Sequence, residues 1–150
     1  MIPSSLLKEI YFFATFTDDE IGLIQEISDC KKYGPQDCVF EEGREAGRLF
    51  FVVSGQLSVR KEGEEITALG QGETFGEMPF LDGGNRSASV IAKENSELVE
   101  IPYNKLSTIL LNNPEMALKF YMLFAKHVSR RLRSTTADYQ HAARNLHKHF

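Results

Sequence analysis

Short apolar runs closed by glycine turns fill the middle of this 150-residue chain and constrain its fold more than any other feature. Ten of the eleven glycines lie between residues 34 and 84. The β-rich runs are residues 38–40, 49–53, 57–60, 66–69, 87–92 and 98–101. Strands spaced so regularly, with turn residues between them, predict an antiparallel jelly-roll β-barrel. The lack of strand–helix alternation disfavours a Rossmann-like parallel sheet.

Helical patterns flank this β-region. Residues 4–29 favour helix, with a second start where Thr17 and Glu20 have the spacing of a capping box. A short helix is predicted over 103–111, and Pro114 suits the first position of a helix that meets no further glycine or proline. We therefore predict one mainly β domain with flanking α: N-terminal helices over 1–29, a barrel over 30–102 and C-terminal helices over 103–150.

The long C-terminal helix carries a seam of residues spaced alternately four and three apart, which is typical of a coiled coil. The seam comprises Tyr121, Ala125, Val128, Leu132, Thr135, Tyr139, Ala142 and Leu146. A helix this long should overrun a small barrel, which favours a homodimer along the seam. Packing of the helix against its own barrel is the alternative interpretation.

Charge divides the chain into an acidic front and a basic tail. Residues 1–113 hold 10 basic and 19 acidic side chains, whereas residues 114–150 hold 7 basic and 2 acidic ones and all four histidines. The basic tail is interpreted as the solvated face of a helix. Because only 150 residues are present, we expect no helix-turn-helix after it, and so no specific nucleic-acid partner.

Composition excludes several other classes. The longest apolar run, residues 120–125, is too short for a membrane span, and two cysteines favour a reduced, cytoplasmic chain over a disulfide scaffold. The predicted barrel contains no histidine, which disfavours a metal-dependent barrel enzyme. No nucleophile–base pair stands out, so we expect neither catalysis nor a metal or other cofactor.

Arg86 is the strongest candidate for a binding residue. It is the only basic residue between Lys61 and Lys93, and it opens an apolar strand within the acidic front. Its partner should be an anion, either an internal carboxylate such as Glu77 or Asp82 or the phosphate of a ligand. The glycines nearby supply backbone N–H groups that could close around a phosphate. The residues alone leave both possibilities open.

A resemblance to a known family bears on this choice. Phe-Gly-Glu at 75–77, followed by Arg-Ser-Ala-Ser-Val at 86–90, resembles the phosphate-binding cassette of cyclic nucleotide-binding domains. Residues 40–43, 49–55 and 100–102 are similar to other parts of the same family, and the flanking helices fit as well. The resemblance implies a non-catalytic sensor, with the cassette over residues 75–90.

The resemblance also implies roles for single residues. Arg86 would pair with the cyclic phosphate, and Glu77 would accept a hydrogen bond from the ribose 2′-hydroxyl. Gly76, Met78 and Ser87 would cradle phosphate and sugar through backbone N–H groups, with Ala88 beside them. Apolar walls would come from Val59, Leu69, Phe75 and Val90.

The last helix is expected to recognise the base. Residues 129–136 resemble the corresponding helix of bacterial catabolite-activator regulators, in which adjacent hydroxyl residues contact adenine, one from each subunit. Thr135 and Thr136 occupy those positions, which favours cAMP as the ligand over cGMP. Ligand binding would then reposition the helix and signal to a downstream protein that the sequence does not name.

Two departures from the family pattern are present. Pro79 replaces a residue whose backbone N–H reaches the phosphate, which would cost about 1–2 kcal/mol of binding if nothing compensates. Gln36 stands at a turn where glycine is expected. Pro79 supports the alternative of a dimeric protein-interaction module whose degenerate barrel no longer binds nucleotide. That alternative predicts Arg86 bound to a protein carboxylate.

Overall fold

A computed structural model describes residues 1–149, without the side chains of 135, 137–139, 142 and 144–149. The helices are α1 (Ser4–Lys8), a 3-10 turn (Tyr11–Phe13), α2 (Asp18–Ile27), α3 (Met78–Asp82), α4 (Tyr103–Asn112) and α5 (Pro114–His149). The strands are β1 (Asp29–Tyr33), β2 (Cys38–Phe40), β3 (Arg48–Ser54), β4 (Leu57–Lys61), β5 (Glu64–Leu69), β6 (Thr74–Phe75), β7 (Ser89–Ala92) and β8 (Ser96–Pro102).

The strands form two four-stranded antiparallel sheets, ordered β1-β8-β3-β6 and β2-β7-β4-β5. Strand β3 is central in the first sheet, where Phe50 lies between Glu100 of β8 and Phe75 of β6. The fold is mainly β with flanking helices and a long C-terminal helix, so the predicted jelly-roll class is confirmed. Its hydrogen-bonded pairs form two sheets instead of one closed barrel.

Strand alternation builds two apolar layers, because successive side chains of a strand point to opposite faces. Phe50 and Val52 face a core drawn from both sheets. The buried members of this core are Tyr33, Phe50, Val52, Leu57, Leu69, Phe75, Val90, Ala92 and Leu98. Phe51 faces the other way, and its ring centroid lies 5.1 Å from that of Phe12 and 4.9 Å from that of Phe13. The N-terminal segment therefore packs on the outer face of the first sheet.

Most helices and strands lie where the local sequence signals predicted them, and a few do not. The capping box is present, with the Thr17 hydroxyl accepting from the Glu20 N–H and the Glu20 carboxylate accepting from the Thr17 N–H. The predicted helical region over residues 4–29 consists of α1, a 3-10 turn and α2, and it ends earlier than predicted because residue 29 begins β1. Strands β1 and β6 were not predicted from the sequence. Gln36 has a φ of 70°, the backbone conformation for which glycine is best suited.

Two compact units, residues 1–113 and 114–150, are distinguished by their internal packing. The second consists of α5, in which the Phe120 and Phe124 rings lie 5.7 Å apart. On the predicted seam, Tyr121 and Leu132 are exposed, 48% and 66% respectively. The seam side chains at 135, 139, 142 and 146 lie outside the described ones. Within residues 1–149, no helix combines the length and apolarity that crossing a bilayer requires.

Candidate functional site

The candidate site is the segment from β6 to β7, which we call the cassette (residues 75–90). Its chain bends at Gly76, whose φ of 78° suits glycine. A Cβ at this position would lie 2.9 Å from Nη1 of Arg86 and 3.2 Å from the Arg48 carbonyl oxygen. Helix α3 follows and is capped at its C-terminus by Gly83, which has a φ of 74° and donates its N–H to the Pro79 carbonyl. Gly76 thus leaves room for the arginine.

The Arg86 side chain is buried, with 5% of its surface exposed. Its Nη2 donates to the Arg48 carbonyl at 2.8 Å, and its Nη1 donates to the Gly76 carbonyl at 3.2 Å and to the Tyr103 hydroxyl at 3.1 Å. The guanidinium carbon lies 3.9 Å from the centroid of the Phe40 ring, a cation–π arrangement. Nε is buried without a hydrogen-bond partner.

The backbone of Arg86 is also fixed. Its N–H donates to the Arg44 carbonyl at 2.9 Å, and its carbonyl accepts from the Gly43 N–H at 2.8 Å. The arginine is therefore held from both sides, by the turn after β2 and by the carbonyls of Arg48 and Gly76. Such preorganisation reduces the conformational entropy that a binding side chain would otherwise lose.

Burial dominates the electrostatics of the cassette. It lowers the pKa of the Arg86 guanidinium, an effect opposed by the Tyr103 hydroxyl and the negative charge of Glu77. Burial likewise raises the pKa of Tyr103, and the adjacent guanidinium opposes that shift. The charge of Arg86 is poorly solvated because its side chain is buried, and its hydrogen-bond acceptors are neutral oxygens. A charge in such a position would favour an approaching anion.

Some of the predicted site residues are buried, and others lie at the surface. Glu77 is fully buried, and Phe75 and Ala88 are buried as well. Met78 is 41% exposed, and Ser87 is also exposed. The predicted apolar walls belong to the core between the sheets: Leu69, Phe75 and Val90 are buried in it, and the partly buried Val59 packs against it. The structure thus brings Gly76 into contact with Arg86 and places Met78 and Ser87 at the surface.

The two predicted base-contacting residues lie on α5. Thr136 is exposed, and its hydroxyl donates to the Leu132 carbonyl at 2.9 Å. The Thr135 side chain lies outside the described ones. Their contact with adenine stays a prediction.

Three residues around Arg86 were not selected from the sequence: Phe40, Arg48 and Tyr103. Each belongs to a different element, namely β2, β3 and the start of α4. Arg48 contributes a backbone carbonyl, for which no side-chain motif exists. A tyrosine directly after Pro102, at the start of a helix, was the only available signal for Tyr103.

A second polar group lies beside the cassette. Glu100 is 4% exposed; its carboxylate accepts from the Tyr33 hydroxyl at 3.3 Å and lies 3.8 Å from Nη1 of Arg48. Arg48 therefore contacts Glu100 through its side chain and Arg86 through its carbonyl. Among the described residues, no three His, Cys, Asp or Glu side chains are grouped so that they could hold a metal ion.

Comparison with curated proteins found relatives in which this chain matches one part. It is 34% identical over 132 residues to glutaminase 2 of Bradyrhizobium diazoefficiens, covering 87% of this chain and 21% of that enzyme. It is 32% identical over 111 residues to the cAMP-activated global transcriptional regulator CRP of Haemophilus influenzae, covering 70% of this chain and 48% of the regulator. The chain thus spans about a fifth of the first relative and about half of the second.

A solved structure shares the fold of this chain, and one family model matches its sequence. A crystal structure of a Geobacter metallireducens protein named for cyclic-nucleotide binding superposes with a TM-score of 0.80 and covers 88% of this chain and 99% of its own. At 23% identity, this likeness supports the fold alone. The model of the cyclic nucleotide-binding domain matches residues 30–113, more than half of the chain. This protein therefore belongs to the cyclic nucleotide-binding domain family.

Proposed function

We propose that this protein is a sensor that binds a 3′,5′-cyclic nucleotide, with cAMP favoured over cGMP, and transmits occupancy through α5. The observation that carries the proposal is the buried guanidinium of Arg86 in the cassette, hydrogen-bonded to neutral acceptors. The family match and the similarity to a cAMP-activated regulator support the choice of ligand.

Each cassette residue has a role in this proposal. Arg86 pairs with the cyclic phosphate, because a planar guanidinium can offer two parallel N–H groups to phosphate oxygens. Glu77 accepts the ribose 2′-hydroxyl, while Gly76, Met78 and Ser87 offer backbone N–H groups. Phe75 and Ala88 supply apolar contacts. Thr135 and Thr136 contact the adenine in the proposed assembly.

The decisive experiment is isothermal titration calorimetry with cAMP and cGMP on the wild type and on Arg86→Ala. We expect the variant to bind cAMP at least about 100-fold more weakly, because a charge-assisted contact to phosphate is lost. Arg60→Ala is the matched control, since Arg60 lies on β4 and its Nε donates to the Ser58 hydroxyl. Absence of heat with the wild type, or equal affinity in Arg86→Ala, would overturn the phosphate assignment.

Ligand analogues separate the remaining contacts. Wild-type protein should bind 2′-deoxy-cAMP about tenfold more weakly than cAMP, because the hydrogen bond to Glu77 is lost. Thr136→Ala should weaken cAMP binding more than cGMP binding if its hydroxyl contacts adenine. Equal losses for the two nucleotides would remove Thr136 from base recognition.

The signalling part of the proposal follows from linkage. A ligand shifts the position of a helix only as far as it binds one position more tightly than the other. We propose that α5 is the element whose position depends on the ligand, and that it passes the signal to a downstream protein. A homodimer formed along the exposed seam residues of α5 would hold two such sensors together.

The alternative of an interaction module without a ligand made a specific prediction. It predicts Arg86 bound to a protein carboxylate; the hydrogen bonds of its guanidinium go to two carbonyls and a hydroxyl, while the negative charge of Glu77 also acts on it. Pro79 still favours this alternative, because it lacks the N–H that the family pattern directs at phosphate. The calorimetric titration distinguishes the two functions directly.

A further inference from the structure

The Tyr103 side chain, at the start of α4, contacts three separate parts of the cassette. Its hydroxyl donates to the Gly76 carbonyl and accepts from Nη1 of Arg86 at 3.1 Å. Its ring lies 5.3 Å from the ring of Phe80 in α3, measured between centroids. Its backbone N–H donates to the Gly47 carbonyl at 2.8 Å, which anchors the start of α4 beside β3.

These contacts concern the same guanidinium that the proposed ligand would use. Nη1 of Arg86 is divided between the Gly76 carbonyl and the Tyr103 hydroxyl. Both N–H groups of Nη1 are thereby occupied, whereas Nε has no hydrogen-bond partner within the described part of the chain and Nη2 donates one hydrogen bond. A phosphate that binds across the edge formed by Nη1 and Nη2 would therefore have to displace one of the two acceptors of Nη1. Because both partners of a guanidinium–phosphate hydrogen bond are charged, that bond is stronger than one from the guanidinium to a neutral oxygen, so the exchange is favourable, but the displaced bond reduces the net gain.

We propose that Tyr103 sets the affinity of the nucleotide site by retaining Arg86 in the empty cassette, where its hydroxyl competes with the ligand phosphate for Nη1. This inference rests on the proposed function. On binding, Arg86 exchanges the Tyr103 hydroxyl for a phosphate oxygen, while the hydroxyl keeps its bond to the Gly76 carbonyl. The first residue of α4 thereby senses whether the cassette is occupied.

The test is the Tyr103→Phe variant, which removes the hydroxyl and retains the ring that packs on Phe80. We expect about threefold to tenfold tighter binding of cAMP by calorimetry, because ligand no longer displaces that hydrogen bond. A merely structural tyrosine would not give tighter binding when its hydroxyl is removed. Tyr11→Phe is the matched control, since Tyr11 is 80% exposed, and its affinity should equal that of the wild type. Equal or weaker binding by Tyr103→Phe would overturn the inference.

A second measurement tests the retained state without nucleotide. Urea unfolding of Arg86→Ala, Tyr103→Phe and the double variant forms a double-mutant cycle. If the two side chains interact as described, the midpoint shift of the double variant will be smaller than the sum of the two single shifts. Additive shifts would show that Tyr103 does not retain Arg86.

The outcomes also separate this inference from the proposed function. Absence of nucleotide binding by both the wild type and Tyr103→Phe would overturn both. Binding by the wild type, with unchanged affinity in Tyr103→Phe, would overturn the role of Tyr103 alone and leave the sensor function standing.

Discussion

The jelly-roll unit (residues 1–113) and helix α5 differ in how far along the chain their polar side chains find hydrogen-bond partners. In the jelly roll, the Arg86 guanidinium is buried and reaches acceptors 38 and 17 residues away, on Arg48 and Tyr103. In α5, the Thr136 hydroxyl bonds to the carbonyl four residues earlier. A buried charge requires acceptors brought together by the fold, whereas a helix satisfies its polar groups locally. The first unit therefore contains a buried charge whose partners come from distant segments, whereas the Thr136 hydroxyl of α5 has a partner within its own helix.

The largest expected effect tests how far the jelly roll depends on close approach between distant segments. Gly55 has a φ of 101°, and a Cβ there would lie 2.6 Å from the Cα of Ser96 and also meet its hydroxyl oxygen. Gly55→Ala should lower the free energy of unfolding by about 3 kcal/mol or more, since both strain and backbone overlap are introduced.

The control for Gly55→Ala is Gly63→Ala. Gly63 has a φ of 83°, but a Cβ there meets nothing within 4 Å, so only backbone strain of about 1–2 kcal/mol is expected. Urea unfolding followed by circular dichroism measures both variants. Equal losses would show that the approach of Ser96 to Gly55 contributes little.

An intermediate effect is expected on α5. Leu132 is 66% exposed and lies on the predicted dimer seam. Leu132→Asp should weaken dimerisation at least about tenfold, because a charge would be buried at the interface. Sedimentation velocity measures this change, with Ser134→Asp as a control of equal charge off the seam. A wild-type protein that sediments as a monomer at high micromolar concentration would contradict the predicted dimer.

The smallest effect on stability is expected from the two cysteines. Both lie in the jelly-roll unit, so their reactivity depends on the folding of that unit. Burial and the Glu97 carboxylate raise the pKa of the Cys30 thiol to about 12, and burial raises the pKa of Cys38. Because the thiolate is the reactive form, folded Cys30 should be alkylated at least about tenfold more slowly at pH 8 than in urea.

The pH dependence has a definite sign. A raised pKa in the folded state favours the protonated thiol, so its contribution to stability is complete below the ordinary thiol pKa and is lost as pH rises toward about 12. The alkylation rate of Cys30 should rise over the same range. Glu97→Gln should increase the rate at Cys30 and leave Cys38 unchanged. Equal rates for folded and unfolded Cys30 would contradict the shift.

Strands that were predicted from the sequence differ in composition from those that were not. Strand β3 contains five consecutive apolar residues and was predicted, whereas Asp29–Tyr33 is largely polar and exposed. That strand forms because its backbone pairs with β8, an interaction that does not depend on its own side-chain pattern. The two-residue strand β6 is too short to show a period.

The sequence by itself determined the features that depend on neighbouring residues: the glycine turns, the capping box at Thr17 and the cassette motif around Arg86. The tertiary structure decided which groups surround that arginine. Phe40, the Arg48 carbonyl and the Tyr103 hydroxyl come from three elements, and strand register and backbone direction bring them together. The identity of a buried side chain can be inferred from its local motif, but its partners are fixed only when distant segments pack.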